Sequence, residues 1–152
     1  MKIAVSACLL GTPCRYDGRS KPCEAVKALA RDHEIVPVCP EVAGGLPIPH
    51  PANEIMHGEE SLRVADAQGN DNTEAFVAGA RATLERVLGA SCEVAVLKAK
   101  SPSCGSGKIY DGTFSGTLVE GWGVAARMID HAGVRVIDET QVEELENLAD
   151  RS

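Results

Sequence analysis

Three of the six cysteines in this chain lie shortly after apolar runs that predict β-strands: Cys8, Cys39 and Cys104. In an open parallel sheet, ligands bind in the crevice outside the carboxyl ends of the strands. Three thiols that are far apart in the sequence are therefore expected to meet at this crevice. Thiolates are ligands for zinc and for iron–sulfur clusters. The pattern thus predicts a metal or iron–sulfur centre held by three protein thiolates, with one coordination position free for chemistry.

The type of centre is open between an iron–sulfur cluster and zinc. An iron–sulfur cluster usually has four cysteine ligands, so three would leave one iron free to act as a Lewis acid. Cys14 is a possible fourth ligand. Zinc bound by three thiolates and a water is the competing centre. The chain contains no Cys-x-x-Cys pair, which argues against a zinc ribbon or a thioredoxin-like dithiol.

Candidate acid, base and hydroxyl groups lie beside two of these cysteines. Glu41 follows Cys39 closely, and a partly dry pocket would raise the pKa of its carboxyl and suit it to acid/base catalysis. The alternative is a solvated loop glutamate. Ser101 and Ser103 precede Cys104, and their hydroxyls could hold a substrate carbonyl or relay a proton. The alternative for the serines is a role in turn formation.

Basic side chains follow the predicted strand ends of a chain whose net charge is −7. Such a charge disfavours extended nucleic-acid binding, which depends on many Lys and Arg contacts with phosphates. A local basic rim could still hold a small anion such as a nucleotide phosphate, although ordinary solvated charges are the alternative. The rim residues are Arg15, Arg19, Lys21, Lys98, Lys100 and Lys108. The candidate substrate-binding residues are Arg15, Lys100, Lys108 and Ser103.

The elements that must position these side chains alternate between strand and helix. Strands are predicted at residues 2–7, 34–38, 93–98 and 134–138. Helices are predicted from Ser20, from Asp71 to Leu88, over 124–131 and from Thr140 through Leu148. This alternation predicts an α/β fold with right-handed crossovers, as a three-layer Rossmann-like sandwich. Its sheet should be mainly parallel, with strand order 2-1-3-4, and Pro37 places the second strand at an edge.

Further local features concern the helix ends and the connections. Asp71 and Glu74 form a capping-box pattern, and Gly89 is expected to end the helix that follows. Residues 62–67 predict a small extra strand. Residues 40–53 predict a stiff, proline-rich loop, and residues 100–123 a long loop rich in glycine and serine.

Length and composition limit the broad class of the protein. The chain has 152 residues, 44% of them hydrophobic, and we expect one domain over residues 1–152. No apolar run reaches the roughly 20 residues of a membrane span, and no signal-like segment follows Met1, so we expect a cytoplasmic protein. Six cysteines in that compartment indicate metal binding or catalysis rather than disulfides. Monomer and homodimer are equally compatible with the sequence.

Three motifs together resemble the thiouracil desulfurase family, and the resemblance covers nearly the whole chain. They are Ser6-Ala7-Cys8-Leu9-Leu10-Gly11 with Cys14-Arg15-Tyr16-Asp17-Gly18; Val38-Cys39-Pro40-Glu41 with Gly44-Gly45-Leu46-Pro47; and Ser101-Pro102-Ser103-Cys104-Gly105 with Ile109-Tyr110-Asp111-Gly112-Thr113-Phe114. One departure is His50, since the family pattern usually carries arginine at this position of the proline-rich loop. If that arginine contacts substrate, substrate preference differs in this chain.

The resemblance implies a [4Fe-4S] cluster on Cys8, Cys39 and Cys104, with Glu41 and Ser101 as catalytic residues. It implies non-redox desulfuration of a thiolated pyrimidine, either thiouracil or a nucleotide such as 4-thio-UMP, to the uracil form with release of sulfide. One alternative is an iron–sulfur protein for electron transfer or redox sensing. Others are desulfuration of thiouridine in transfer RNA and a metal-free nucleotide-binding module.

Overall fold

The computed structural model describes residues 1–58 and 60–145. Its strands are β1 (Lys2–Ser6), β2 (Glu34–Val38), β3 (Asn53–Ile55), β4 (Val64–Asp66), β5 (Val94–Leu97), β6 (Ser106–Tyr110), β7 (Leu118–Trp122) and β8 (Arg135–Asp138). Its α-helices are α1 (Glu24–Lys27), α2 (Pro40–Ala43), α3 (Thr73–Gly89) and α4 (Val124–His131). Short 3₁₀ turns cover Ala7–Leu10, Ala28–Arg31 and Glu139–Gln141. No helix within the described ranges is both long enough and apolar enough to span a bilayer.

The main sheet contains four parallel strands in the order β2-β1-β5-β8. These are the four long strands predicted from the sequence, so the predicted order 2-1-3-4 is confirmed. The strand that contains Pro37 lies at the edge of the sheet. Proline has no N–H to donate, and at an edge this need not remove a hydrogen bond between strands. Because all four strands run in the same direction, their carboxyl ends lie along one edge of the sheet.

Helices cover both faces of this sheet and bury its apolar side chains. Side chains alternate along each strand, so Ile3 and Val5 face one layer while Ala4 faces the other. The first layer includes Val26 of α1. The second includes Val87 of α3 and residues of α4. The three-layer arrangement predicted from the sequence is therefore confirmed.

Two small antiparallel sheets pack beside the main one, and of their strands only β4 was predicted from the sequence. The predicted loop over residues 100–123 contains the hairpin of β6 and β7, and the extra strand predicted at 62–67 is β4, which pairs with β3. A third apolar cluster, which includes Ile55, Phe76 and Ile109, joins these sheets to α3 and α4. Short strands rich in glycine and polar residues lack the apolar alternation that predicts a strand, because their stability comes from this packing.

Three predicted helix starts differ from those in the structure. Backbone bonds from the Lys21 and Cys23 amides to the Cys8 and Leu9 carbonyls hold the segment after Ser20 extended, so α1 begins only at Glu24. The Asp71–Glu74 capping box is absent, since the Asp71 carboxylate accepts from Thr73 and the N-cap is Asn72. At the last helix, Asp138 and Gln141 form the capping box instead of Thr140 and Glu143. Residues 143–145 of that predicted helix are helical, and its continuation, including Leu148, lies outside the described residues.

A close approach between two helices fixes the position of α2. A Cβ atom at Gly79 of α3 would overlap the Pro40 carbonyl, and one at Gly44 would overlap the Ala75 carbonyl. Glycine at both positions therefore lets the backbone of α2 lie directly against α3. Since α2 follows β2 immediately, this packing sets the direction of the side chains in its first turn.

Candidate functional site

A cavity of about 450 Å³ opens at the carboxyl ends of the main-sheet strands. Its lining contains every candidate site residue from the sequence except Lys108: Cys8, Arg15, Cys39, Glu41, Lys100, Ser101, Ser103 and Cys104. Lys108 instead lies exposed on β6, paired with Glu120 of β7, so its predicted contact with substrate has no support in its position. The expected convergence of the three thiols is therefore observed, while their roles are a separate question.

Each of the three thiols reaches the cavity from a different local structure. Cys8 lies in the 3₁₀ turn that follows β1, and Cys39 is the N-cap residue of α2 directly after β2. Cys104 lies between β5 and β6, where its Sγ accepts from Ser6 Oγ at 3.5 Å and lies 3.7 Å from Ser103 Oγ. All three are free cysteines.

The surroundings of the thiols control how easily each one ionises. Burial raises the pKa of Cys8 to about 11 and that of Cys104 to about 12. Hydrogen bonding from the neighbouring Cys14 thiol lowers the pKa of Cys39 to about 7, and the same contact raises the pKa of Cys14. Two of the three thiols therefore become thiolates readily only when a cationic centre compensates their charge.

The donor set fits a cluster better than a single metal ion. Within residues 1–58 and 60–145, no three His, Cys, Asp or Glu side chains converge closely enough to hold one metal ion. A zinc ion needs thiolate sulfurs at roughly 2.3 Å from a common centre. A cluster of several irons and sulfides keeps its ligands farther apart than one ion does. Three free thiols around one cavity suit such a group.

Glu41 lies in the first turn of α2, within a chain of hydrogen bonds. Its Oε1 contacts His50 Nε2 at 3.1 Å, and its Oε2 accepts from Ser103 Oγ at 3.1 Å. Ser103 Oγ in turn lies 2.9 Å from Ser101 Oγ. The Glu41 side chain is only 19% exposed, so this is not the solvated loop glutamate of the alternative interpretation.

Ser101 combines the two roles considered for it. Its Oγ accepts from the backbone amides of Ser103 and Cys104, both at 3.1 Å, which stabilises the turn before the Cys104 thiol. Because this oxygen already accepts twice, its own hydrogen is free to donate to Ser103 Oγ. The Ser103 hydrogen then points to Glu41. The three side chains form a directed path for a proton from Ser101 to the carboxylate.

The basic rim is smaller than the sequence indicated. Arg15 and Lys100 line the cavity and form no ion pair with another described residue, whereas Arg19 and Lys21 lie outside it. Lys98 also reaches the cavity, but its Nζ pairs with Glu139 Oε2 at 3.0 Å. Two cations are therefore available to an anionic group in the cavity.

Several lining residues were not singled out in the sequence, and aromatic residues are the clearest group. The chain has only two tyrosines, two phenylalanines and one tryptophan. Both tyrosines, Tyr16 and Tyr110, and one phenylalanine, Phe114, line the cavity. All three lie within the motifs that carry the family resemblance, which was a usable signal, and aromatic side chains stack on flat rings.

Glu54 is a second residue that the sequence gave no reason to select. It is 8% exposed, and its Oε1 accepts from the amides of Gly112 at 2.9 Å and Phe114 at 3.2 Å. This carboxylate therefore holds the loop that carries Phe114 against the cavity. His50 and Cys14, both noted in the sequence, are further neighbours of the site through their contacts with Glu41 and Cys39.

Comparisons with known proteins place this geometry in context. The model of the 2-thiouracil desulfurase family matches residues 3–141. The uncharacterized protein YbbK of Bacillus subtilis strain 168 is 40% identical over 149 residues, covering 94% of this chain and 99% of the relative. A solved structure, the [4Fe-4S]-dependent thiouracil desulfidase TudS, has a TM-score of 0.89 at 40% identity, covering 99% of each chain. The motif resemblance is confirmed, and this chain belongs to the 2-thiouracil desulfurase family.

Proposed function

We propose that this chain is a [4Fe-4S]-dependent enzyme that removes sulfur from a thiolated pyrimidine without net redox change. The substrate is thiouracil or a nucleotide such as 4-thio-UMP, the products are the uracil form and sulfide, and residues 1–152 act as one domain in the cytoplasm. The observation that carries the proposal is the meeting of three free thiols and Glu41 in one cavity. Family membership and the name of the solved relative TudS support it.

Cys8, Cys39 and Cys104 are the proposed ligands of the cluster. When bound, the cluster would supply an iron with an open coordination position, a Lewis acid for the thiocarbonyl sulfur. The raised pKa values of the Cys8 and Cys104 thiols agree with this role, since a positive centre is needed to keep those buried thiols ionised. The same burial keeps water away from the ligands.

Glu41 is the proposed general base. Its carboxylate takes a proton from a water molecule, and the oxygen of this water attacks the ring carbon that carries sulfur. The C–S bond then breaks, so one water enters and one sulfide leaves with its protons. Ser101 is proposed as the second catalytic residue, because its hydroxyl reaches Glu41 through Ser103 and can return a proton along that path.

Substrate binding is assigned to the remaining lining residues. The rings of Tyr16, Tyr110 and Phe114 offer flat surfaces for a pyrimidine. Ser103 supplies a hydroxyl near the reacting groups. Arg15 and Lys100 supply positive charge for a phosphate when the substrate is a nucleotide.

The test is anaerobic reconstitution followed by assays with 2-thiouracil, 4-thiouracil and 4-thio-UMP. We expect the desulfurated pyrimidine and sulfide in equal amounts from at least one substrate. Cys104→Ala should abolish the reaction. Cys92→Ala is the matched control, since Cys92 is also buried but lies outside the cavity lining. Full activity in Cys104→Ala or in metal-free protein would end the proposal.

One observation favours a second candidate, an iron–sulfur protein for electron transfer or redox sensing. Cys14 lines the same cavity, and its backbone carbonyl accepts from the Cys39 thiol at 3.7 Å. As a fourth ligand it would leave no open iron. This candidate predicts a reversible cluster couple without sulfide release, and a loss of cluster in Cys14→Ser. Desulfuration of transfer RNA would instead appear as steeply salt-dependent RNA binding.

A further inference from the structure

His50, in the proline-rich loop, is held by contacts of its backbone and of both ring nitrogens. Its backbone amide donates to the Tyr16 carbonyl at 2.7 Å, and its ring lies edge-on to the Tyr16 ring, with 6.4 Å between centroids. Its two ring nitrogens contact the Pro47 carbonyl at 2.7 Å and Glu41 Oε1 at 3.1 Å. The side chain is only 6% exposed. The imidazole therefore connects two loops to the first turn of α2.

The chemistry of these partners decides what each ring nitrogen does. A carbonyl oxygen can only accept, so Nδ1 carries a hydrogen that points to Pro47. Glu41 already accepts from Ser103 at its other oxygen, the pattern of a carboxylate that accepts at both oxygens. Nε2 is then a donor as well. The contact with Glu41 agrees with the raised pKa of His50, for which the hydrogen bond to that carboxylate is the main cause.

His50 lies outside the lining of the cavity, whereas Glu41 is part of it. Any effect of the imidazole on a reaction in the cavity must therefore pass through the carboxylate. Glu41 has a flexible side chain, and the structure fixes it with one donor on each oxygen. Removing His50 leaves Oε1 without its donor and lets the carboxylate rotate around the single contact with Ser103.

We propose that His50 is a positioning residue that holds the Glu41 carboxylate in its working orientation by donating to Oε1, a role that rests on the proposed desulfurase function. It does not touch substrate. Its anchor is the Pro47 carbonyl, so the proline-rich loop acts as the support of the catalytic carboxylate. In this chain the orientation of Glu41 depends on a residue nine positions away, on a different element.

The activity test compares His50→Ala with wild type in the reconstituted enzyme. We expect kcat to fall about tenfold to a hundredfold, the usual cost of a misplaced catalytic group, with KM changed by less than about threefold. His50→Arg, which keeps a positive donor, should recover most of the loss. His57→Ala is the matched control, because His57 is exposed and outside the cavity lining. A wild-type kcat in His50→Ala overturns the proposal.

A double-mutant cycle separates positioning from an independent role. In the Glu41→Gln background, His50→Ala should cause no further loss of kcat, because the partner through which it acts has gone. A further loss of the same size as in wild type overturns the proposal. If His50→Ala does not fold or load iron, His50→Gln takes its place, since the glutamine amide can satisfy one of the two acceptors but not both.

A readout independent of activity distinguishes this proposal from the proposed function. Histidine ¹⁵N NMR on the full chain follows the titration of the four imidazoles, with His50 assigned from the spectrum of His50→Ala. The titration midpoint of His50 should fall in Glu41→Gln. An unchanged His50 midpoint overturns the pairing even in a protein with desulfurase activity. A protein inactive on every thiouracil refutes the proposed function, and the NMR result still decides the pairing.

Discussion

The two sides of the cavity are built in different ways. The thiol side comes from the edge of the parallel sheet, where Cys8 and Cys39 follow β1 and β2 directly. The aromatic side, formed by Tyr16, Tyr110 and Phe114, comes from loops and strand β6, and a hydrogen bond to Glu54 holds the Phe114 loop. The strand order brings Cys8 and Cys39 to one edge of the sheet, and the turn held by Ser101 adds Cys104. The aromatic side depends instead on contacts between distant segments. We therefore expect the thiol side to determine whether chemistry occurs and the aromatic side to determine how well substrate binds.

The largest effect is expected from the thiol side. Serine at position 8, 39 or 104 should remove a cluster ligand and lower kcat by about a thousandfold or more, because a metal Lewis acid contributes several kcal/mol to such reactions. Iron and acid-labile sulfide per chain provide the measurement, with Cys92→Ser as control. A variant at one of these positions that keeps its full iron content would show that the three thiols are not equivalent ligands.

Glu41, which lines the same cavity, should give the next largest effect. Glu41→Gln keeps the size of the side chain but removes the proposed base, so kcat should fall about 10²–10⁴-fold with iron content unchanged. Single-turnover rates at saturating substrate measure this loss. Near-normal turnover would mean that another group activates the water. It would also show that the hydrogen-bonded path from Ser101 through Ser103 does not end at the group that activates the water.

Glu54 tests the aromatic side separately. Glu54→Ala leaves the Gly112 and Phe114 amides without their acceptor, which should cost about 1–3 kcal/mol in the free energy of unfolding. Because the loop that carries Phe114 is then released, KM should rise while iron content stays constant. Urea unfolding and steady-state kinetics measure the two effects. Glu85→Ala, an exposed substitution on α3, is the control. A loss of iron in Glu54→Ala would show that the thiol side and the aromatic side do not act separately.

The smallest effect concerns pH. The pKa of His50 is raised in the folded protein, mainly by its hydrogen bond to Glu41, so protonated His50 stabilises the fold. This stabilisation should be complete below the unfolded pKa of about 6.5 and should disappear as pH rises through the folded value. The difference in free energy of unfolding between wild type and His50→Ala should therefore shrink from acidic to basic pH. Urea unfolding measures this difference, and the same difference at acidic and at basic pH would contradict the prediction.

Sequence and structure agree best where a prediction depends on local periodicity. The four parallel strands and α4 carry continuous apolar patterns, and the structure has them close to the predicted bounds. The start of α1 was wrong because Lys21 and Cys23 bond to the turn that contains Cys8, a contact that no local pattern reports. Lys108 was selected for following a strand end, but the unrecognised hairpin of β6 and β7 carries it away from the cavity.

The sequence by itself determined the parallel sheet and the positions of three cysteines near its carboxyl edge, and its motifs identified the family. Those features follow from strand periodicity and chain order, both of which can be read from the sequence. Only the tertiary structure decided which groups surround Glu41 and what holds Phe114. Glycines at positions 44 and 79 let α2 lie against α3, and this packing places the Glu41 carboxylate between His50 and Ser103. Hydrogen-bond partners of this kind are chosen by distances across the fold, because side chains far apart in sequence meet only after the helices and sheets have packed.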